Sequence, residues 1–388
     1  MSITRRRIAI ICPGSGGGGS VATVALSQAT GLTRFFDTTL ISDSHPIGPV
    51  SGVEFFHIDP PSFHWLRRYS HAPREIAFAR YARRALFRLA RESDLEFILC
   101  HGHVVAALAA VPVQSALGIP YGLVTHGDIF DRPRGTYDAR LTWLYRNVTP
   151  KAYRRANLIV ALSPHMQSLA QRHGASKGQI RVIPNGVDPK QLGLDGPYTA
   201  PPPHIGNTPR ILFVGRLSVE KGVDTLLQAC NRLTSRGVPY QLRIVGGGPL
   251  RNQLRAIAAN LGIESSLRFV GHLSRHLLGL EYSHSDVVCV PSRSDPFPTV
   301  VLEAMAAGRP VIGTKVGGIS FAVEHENTGL LVAPNAPEEL ADALECLAQD
   351  QQLRVAMGRR AYRECRKRFN WARVTRQLAE AIEKTIKS

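Results

Sequence analysis

The chain has 388 residues, 44% of them apolar and 7% aromatic, enough for two domains with their own cores and a composition typical of a soluble α/β protein. A net charge of +17 favours phosphates, whether of a nucleotide, a lipid surface or a nucleic acid, and alone selects none of them. No apolar run approaches the roughly 18 residues of a membrane span, and six scattered cysteines with no CxxC pair argue against a disulfide framework or a zinc site.

The first apolar stretch, Ile8 to Cys12, follows basic residues but ends at once in a glycine loop. It reads as a first strand rather than an export leader, so the protein is expected in the cytoplasm, with Cys12, Cys100 and Cys289 as reduced residues of buried strands. The loop, Pro13 to Ser20, precedes a helix pattern over Val21–Thr30. Gly14, Gly16 and Gly19 formally satisfy G-x-G-x-x-G, and Asp43 ends the second strand where a ribose-binding acid would sit. A dinucleotide site is therefore one reading of this loop, and a turn without a ligand is another.

Further strands are expected at Thr39–Ser42, Val53–Ile58, Phe97–Cys100, Gly122–Thr125 and Leu158–Leu162. After Pro73 an amphipathic helix places Phe78, Tyr81, Ala82, Ala85, Leu86 and Leu89 on one stripe. Arg80, Arg84, Arg88 and Arg91 recur on another, which is either the solvated face of a core helix or a surface for anionic lipid. Through residue 190 the chain carries 23 Lys and Arg against 12 Asp and Glu, and 24 against 18 beyond it, so the positive excess lies toward the N-terminal half. His101-Gly102-His103 and His126-Gly127-Asp128 stand just past strand ends, where parallel sheets bind ligands. Val182 to Asp188 reads as a turn closing the first domain.

Residues 196–209, GPYTAPPPHIGNTP, have no periodicity and read as a semi-rigid linker. Strands follow at Ile211–Val214, Leu242–Val245, Leu267–Val270, Val287–Val290, Val311–Thr314 and Leu330–Val332. The alternation of strands with helices predicts parallel sheets covered on both faces. Arg216 and Lys221, after a strand and at the start of a helix, can converge on one diphosphate. Downstream, Pro296 and Pro298 hold Ser294–Phe297 extended, and a helix over Thr299–Ala307 stops at Gly308. That brings Asp295 to a helix N-terminus, an anion site through the N–H groups of Thr299 and Val300, with Glu303 about one turn inside. Two carboxylates cannot ligate phosphate, and suit sugar and ribose hydroxyls.

An acidic residue, seven residues and Glu303, set in LEAMAAGRPVI and joined by GRLSVEKG, GGGP and the first glycine loop, resembles glycosyltransferase family four, the glycosyl transferases group 1. The resemblance covers nearly the whole chain. It implies a retaining, metal-independent GT-B enzyme: α/β, two Rossmann-like domains with parallel sheets facing an interdomain cleft. The N-terminal acceptor-side domain would be residues 1–195, the linker 196–209 and the donor domain 210–360, with residues 361–388 forming a helix that crosses back. By the same resemblance Gly16, Gly17 and Gly18 bring backbone N–H groups to the donor diphosphate. Arg216 and Lys221 neutralise it, Asp295 and His126 hold the transferred sugar, and Glu303 holds the ribose. The expected partners are a nucleotide-sugar donor, a glycan or lipid-linked acceptor, and an anionic membrane face at Arg80, Arg84 and Arg88. No cofactor or metal is expected, and nucleic acid is not.

Four residues depart from the family's usual pattern. Asp295 stands for Glu, Pro298 for Gly, and Ser320-Phe321 for a Pro-Glu pair after Gly317-Gly318-Ile319, which puts donor identity more in question than reaction type. Other classes make different demands. An NAD-dependent oxidoreductase leaves Arg216 and Lys221 unexplained, a GT-B epimerase or phosphorylase turns over without a separate acceptor, and a basic binding module rests on charge alone.

Overall fold

A computed structural model of the chain describes residues 5–14, 20–45, 51–61, 72–102, 104–127, 139–194, 196–201 and 208–388. The chain divides into two compact units, residues 1–185 with 371–388 and residues 186–370. The first crossing thus lies ahead of the Pro-rich stretch. Val187 already belongs to the second unit, donating its N–H to Phe369 O at 2.8 Å.

The N-terminal unit is built on strands β1 (Arg7–Ile11), β2 (Asp37–Ser42), β3 (Val53–His57), β4 (Leu95–Cys100), β5 (Tyr121–Thr125), β6 (Leu158–Ala161) and β7 (Ile180–Val182). They form one sheet in the order β3-β2-β1-β4-β5-β6-β7, every pair parallel. Strands β5 and β6, and β4 from Phe97 onward, are buried along their length, which is why they read as largely apolar runs rather than as alternation. Helices α1 (Ser20–Leu32), α2 (Ala72–Glu92), α3 (Val104–Leu117), α4 (Ala139–Arg155) and α5 (Pro164–Arg172) connect them. On α2, Phe78, Ala82, Ala85, Leu86 and Leu89 sink into the core with Tyr81 packed against it, as the 3.6-residue period requires.

The second unit repeats the arrangement with β8 (Arg210–Val214), β9 (Gln241–Val245), β10 (Leu267–Gly271), β11 (Val287–Val290), β12 (Val311–Thr314) and β13 (Gly329–Val332). Their order is β10-β9-β8-β11-β12-β13, again parallel throughout. Its helices are α6 (Val223–Ser235), α7 (Arg251–Asn260), α8 (Arg275–His284), α9 (Thr299–Ala306), α10 (Ile319–Ala322), α11 (Pro337–Gln349) and α12 (Gln351–Arg368). Ser274 caps α8 and Asp350 caps α12 through side-chain oxygens that accept from Leu277 and Leu353 N–H. The chain then returns to the N-terminal unit as α13 (Trp371–Ile386). There Thr375 lies so close to Gly31 of α1 that a Cβ on Gly31 would come within 2.3 Å of its methyl.

Each sheet reverses its winding beside the first strand, between β1 and β4 and between β8 and β11. Open parallel sheets bind ligands in the crevice outside the strands' carboxyl ends at such a reversal. The loops there are Cys12–Gly14 and His101 in one unit, and Gly215–Gly222 and Pro291–Pro298 in the other.

Candidate active site

At the carboxyl end of β8 the chain turns through Gly215 and Arg216 into a single 3-10 turn, Val219–Lys221, closed by Gly222 in the left-handed region at φ 64°. A Cβ on Gly222 would stand 2.1 Å from Pro291 O, so only glycine lets this turn reach the loop that follows β11. A second glycine loop, Gly246–Gly248, lies as close on the other side, where a Cβ on Gly246 would meet Gly215 O at 1.9 Å.

Arg293 fastens the two switch-point loops together. Its guanidinium donates to both oxygens of Asp224 at 2.8 and 2.7 Å and to Val219 O at 2.6 Å, while its own N–H donates to Glu220 O at 2.8 Å. This forked, planar recognition is available to Arg and not to Lys. Burial pushes the Asp224 carboxyl up, but the hydrogen bonds and charge of Arg293 outweigh it and leave the group below its ordinary range.

With the loops so held, Lys221 Nζ donates to Asp295 Oδ2 at 2.5 Å. The carboxylate is 5% exposed and the ammonium 26%. Arg216 stands apart: it is exposed, and among the described residues no ion pair or side-chain hydrogen bond holds it. The two cations read from sequence as one pair therefore occupy different surroundings.

Beyond Asp295 the chain is extended, as Pro296 and Pro298 require. Gly318 N–H donates to Asp295 O at 3.0 Å, and Gly317, at φ 48°, leaves no room for a Cβ, which would sit 1.8 Å from the same oxygen. Phe297 is buried against the rings of Phe321 and Phe369, 6.2 and 6.0 Å away, and Arg368 covers the Phe321 ring. The departure at residue 321 thus puts an aromatic contact behind the Asp295 loop. Pro298 caps α9 in extended geometry without a side-chain bond. Among the described residues no protein group accepts from Thr299 and Val300 N–H, which leaves these donors at the helix's positive end.

Glu303 is 2% exposed, and both its oxygens are engaged. Tyr282 donates to Oε2 at 2.8 Å and Arg275 to Oε1 at 2.9 Å. Burial first, and then the neighbouring carboxylate, push the Tyr282 hydroxyl well above its ordinary range, so it stays a donor. Each carboxylate oxygen can accept more than one hydrogen bond, which leaves Glu303 able to take a hydroxyl as well. Neither Arg275 nor Tyr282 stands out in the sequence. Their spacing in RHLLGLEY, two helical turns, shows that they share a face but not that Glu303 lies opposite it.

In the N-terminal unit His126 follows β5 and is half-buried, 2.8 Å from the buried His101 that follows β4. Gly16, Gly17, Gly18, His103 and Asp128 lie outside the described residues. Asp43, the acid a dinucleotide site would need, accepts from Gly14 N–H at 2.7 Å and pairs with Arg74 of α2 at 3.1 Å. Arg80, Arg84 and Arg88 are exposed on α2. Arg84 lies over the Tyr81 ring, and Arg88 over Phe56 while it pairs with Glu92. Cys12, Cys100 and Cys289 are buried free thiols.

Among the described residues no cluster of three or more His, Cys, Asp or Glu is arranged to hold a metal ion, and no helix is long and apolar enough to cross a membrane. A cavity of about 350 Å³ opens at the other end of the second sheet, beside Arg210, Gln241 and Arg243. Its Arg243 is paired with Glu281, and it is remote from the strands' carboxyl ends.

Comparison with known proteins yields two family models that together span most of the chain. Residues 199–364 match the glycosyl transferases group 1, and residues 17–191 match Glycosyltransferase Family 4. A D-inositol 3-phosphate glycosyltransferase of Corynebacterium jeikeium is 36% identical over 239 residues, 58% of this chain and 56% of that protein. The chain spans a little over half the length of the D-inositol 3-phosphate glycosyltransferases it matches. The fold is similar to sucrose-phosphate synthase from Thermosynechococcus elongatus, with a TM-score of 0.81 at 20% identity over 99% of this chain and 100% of that one. It is also similar to Anabaena HepE in complex with UDP-glucose, with a TM-score of 0.75 at 20% identity over 97% and 99%.

Proposed function

The chain belongs to the group-1, family-four glycosyltransferases of GT-B type, and from that premise we propose that it moves a sugar from a nucleotide-diphosphate donor to a glycan or lipid-linked acceptor, with retention of configuration. What supports this reading is one cluster at the switch point of the second sheet: Lys221 on Asp295, the open N–H groups of Thr299 and Val300, and Glu303 within the same helix.

A departing diphosphate needs stabilisation of its charge more than it needs a strong acid. Arg216, Lys221, the N–H groups that open α9 and the loop of Gly16, Gly17 and Gly18 supply it without a metal. Asp295 holds hydroxyls of the transferred sugar, Glu303 the ribose, and His126 a further sugar hydroxyl. The bond from the sugar's anomeric carbon to the diphosphate breaks, its electron pair passing to the phosphate oxygen. The acceptor oxygen then bonds that carbon on the same face, and its proton passes to the leaving phosphate oxygen. The exposed arginines of α2 serve an anionic membrane face on the cytoplasmic side, which suits synthesis of a cell-surface polysaccharide or glycolipid. A dinucleotide-dependent oxidoreductase is disfavoured by the two glycosyltransferase family models, which together span most of the chain.

HepE's complex makes UDP-glucose the first donor to test. In a thermal-shift panel of UDP-glucose, GDP-mannose, ADP-glucose, UDP and GDP, one base is expected to raise the melting temperature, and Glu303→Ala to abolish the rise. A flat panel would overturn the donor assignment. For α2, the triple Gln variant of Arg80, Arg84 and Arg88 is expected to pellet less with vesicles containing phosphatidylglycerol, and equal pelleting would rule the face out.

A further inference from the structure

His101 and His126 stand at the carboxyl ends of adjacent parallel strands. His101 follows Cys100, the last residue of β4, and its N–H donates to Ile11 O at 2.8 Å. Its backbone is thus fixed by the sheet itself. Its side chain is fully buried, with Nδ1 2.8 Å from Nε2 of His126 and the two rings tilted by 31°.

At that separation the facing nitrogens share one proton, one ring donating and the other accepting. Two protons would oppose N–H to N–H, and none would oppose two lone pairs. The state of Nε2 in His126 is therefore coupled to that of Nδ1 in His101: one carries the shared proton and the other accepts it.

We infer that His101 is a positioning residue for His126, fixing the orientation of its ring and the nitrogen that carries its proton. The inference rests on the assignment of His126 to the transferred sugar. A sugar hydroxyl both donates and accepts, so either tautomer of a loose imidazole could bind it, each in a different pose. Fixing ring and proton before the sugar arrives selects one pose and removes the ordering cost from the reaction step.

The test uses the full chain, labelled with ¹⁵N-histidine, and the variants His101→Leu, His101→Asn and His101→Gln. An Asn amide puts its polar atoms near the place of Nδ1, and a Gln amide near that of Nε2. In His101→Leu the ring ¹⁵N signals of His126 are expected to move. Release of nucleoside diphosphate, from whichever sugar of the panel gives the largest thermal shift, is expected to fall by up to about 100-fold, the scale for a group displaced by about 1 Å from its productive position. The fall should lie in kcat rather than KM. His101→Asn should restore both the signals and the rate, and His101→Gln should not.

Unmoved His126 signals in His101→Leu would overturn the inference, as would equal rescue by Asn and Gln. Should His101→Leu fail to fold, the contrast between Asn and Gln still decides. His126→Ala, run in parallel, separates the two claims. If it keeps full turnover, the sugar assignment falls, while the nitrogen signals still judge the positioning.

Discussion

Lys221 and Asp295 come from loops on either side of the β8–β11 reversal, 74 residues apart in sequence, and meet at 2.5 Å. The cation assigned to the diphosphate and the carboxylate assigned to the sugar are each other's counter-ions. Removing one partner of a buried pair leaves an uncompensated charge, whereas removing both leaves none. Because Lys221 is a quarter exposed, the cost of Lys221→Met should fall below that of a fully buried pair, at about 1–3 kcal/mol. The double variant Lys221→Met/Asp295→Asn is expected to recover part of it. Urea unfolding of the four forms measures the coupling, and strictly additive losses would mean that the pair contributes nothing.

Arg216 offers the opposite case. It is exposed and holds no partner among the described residues, so Arg216→Ala should change stability by no more than about 0.5 kcal/mol. The stabilisation by UDP or GDP should nevertheless disappear. A variant that keeps the full nucleotide-induced shift would show that Arg216 is only a solvated charge. A variant that loses several degrees without nucleotide would show that it holds the loop rather than the ligand.

Glu303 should depend on Tyr282 more than on Arg275. The Tyr282 hydroxyl is buried and its bond to Oε2 cannot be replaced by solvent, whereas Arg275 is 45% exposed. Tyr282→Phe leaves a buried carboxylate oxygen without its donor, which costs about 1–3 kcal/mol. Arg275→Gln should cost less than about 1 kcal/mol, because water can take the place of the exposed guanidinium. Nucleotide affinity, read by calorimetry with UDP and GDP, should fall in both variants if Glu303 binds the ribose. Unchanged affinity in Tyr282→Phe would detach Glu303 from the nucleotide.

The fold is legible in the sequence wherever burial on both faces leaves an unbroken apolar run, as at Ile211–Val214 or Val287–Val290. Ile180–Val182 is not, because a three-residue edge strand carrying Arg181 in its middle has no such run. The α9 end of the site is legible for a local reason: Pro298, Thr299 and Glu303 fall within one turn and a half, and proline chemistry fixes where the helix begins. What escapes is contact across the sheet. Arg293 reaches Asp224, Tyr282 reaches Glu303 and His101 reaches His126 over separations of 69, 21 and 25 residues. No local periodicity encodes those distances. The bonds from Asp43 to Gly14 and Arg74, over 29 and 31 residues, escape by the same route.

The bond between Arg293 and Asp224 predicts an acid limit on stability. The Asp224 carboxyl is held below its ordinary range in the folded state, so the folded protein resists protonating it where the unfolded chain does not. Its contribution is present in full above the unfolded value of about 3.9 and is lost as pH falls through the lower, folded value. Asp224→Asn keeps the shape of the side chain but removes the proton-dependent charge. It should lower the melting temperature at neutral pH and flatten its fall below about pH 4. Because Arg293 also ties down Val219 and Glu220, the variant should loosen the turn that carries Lys221 and weaken nucleotide binding at neutral pH. Melting curves from pH 3 to 7, with and without UDP or GDP, measure both effects. An acid limb as steep as that of the unsubstituted protein would assign the limit to other carboxylates.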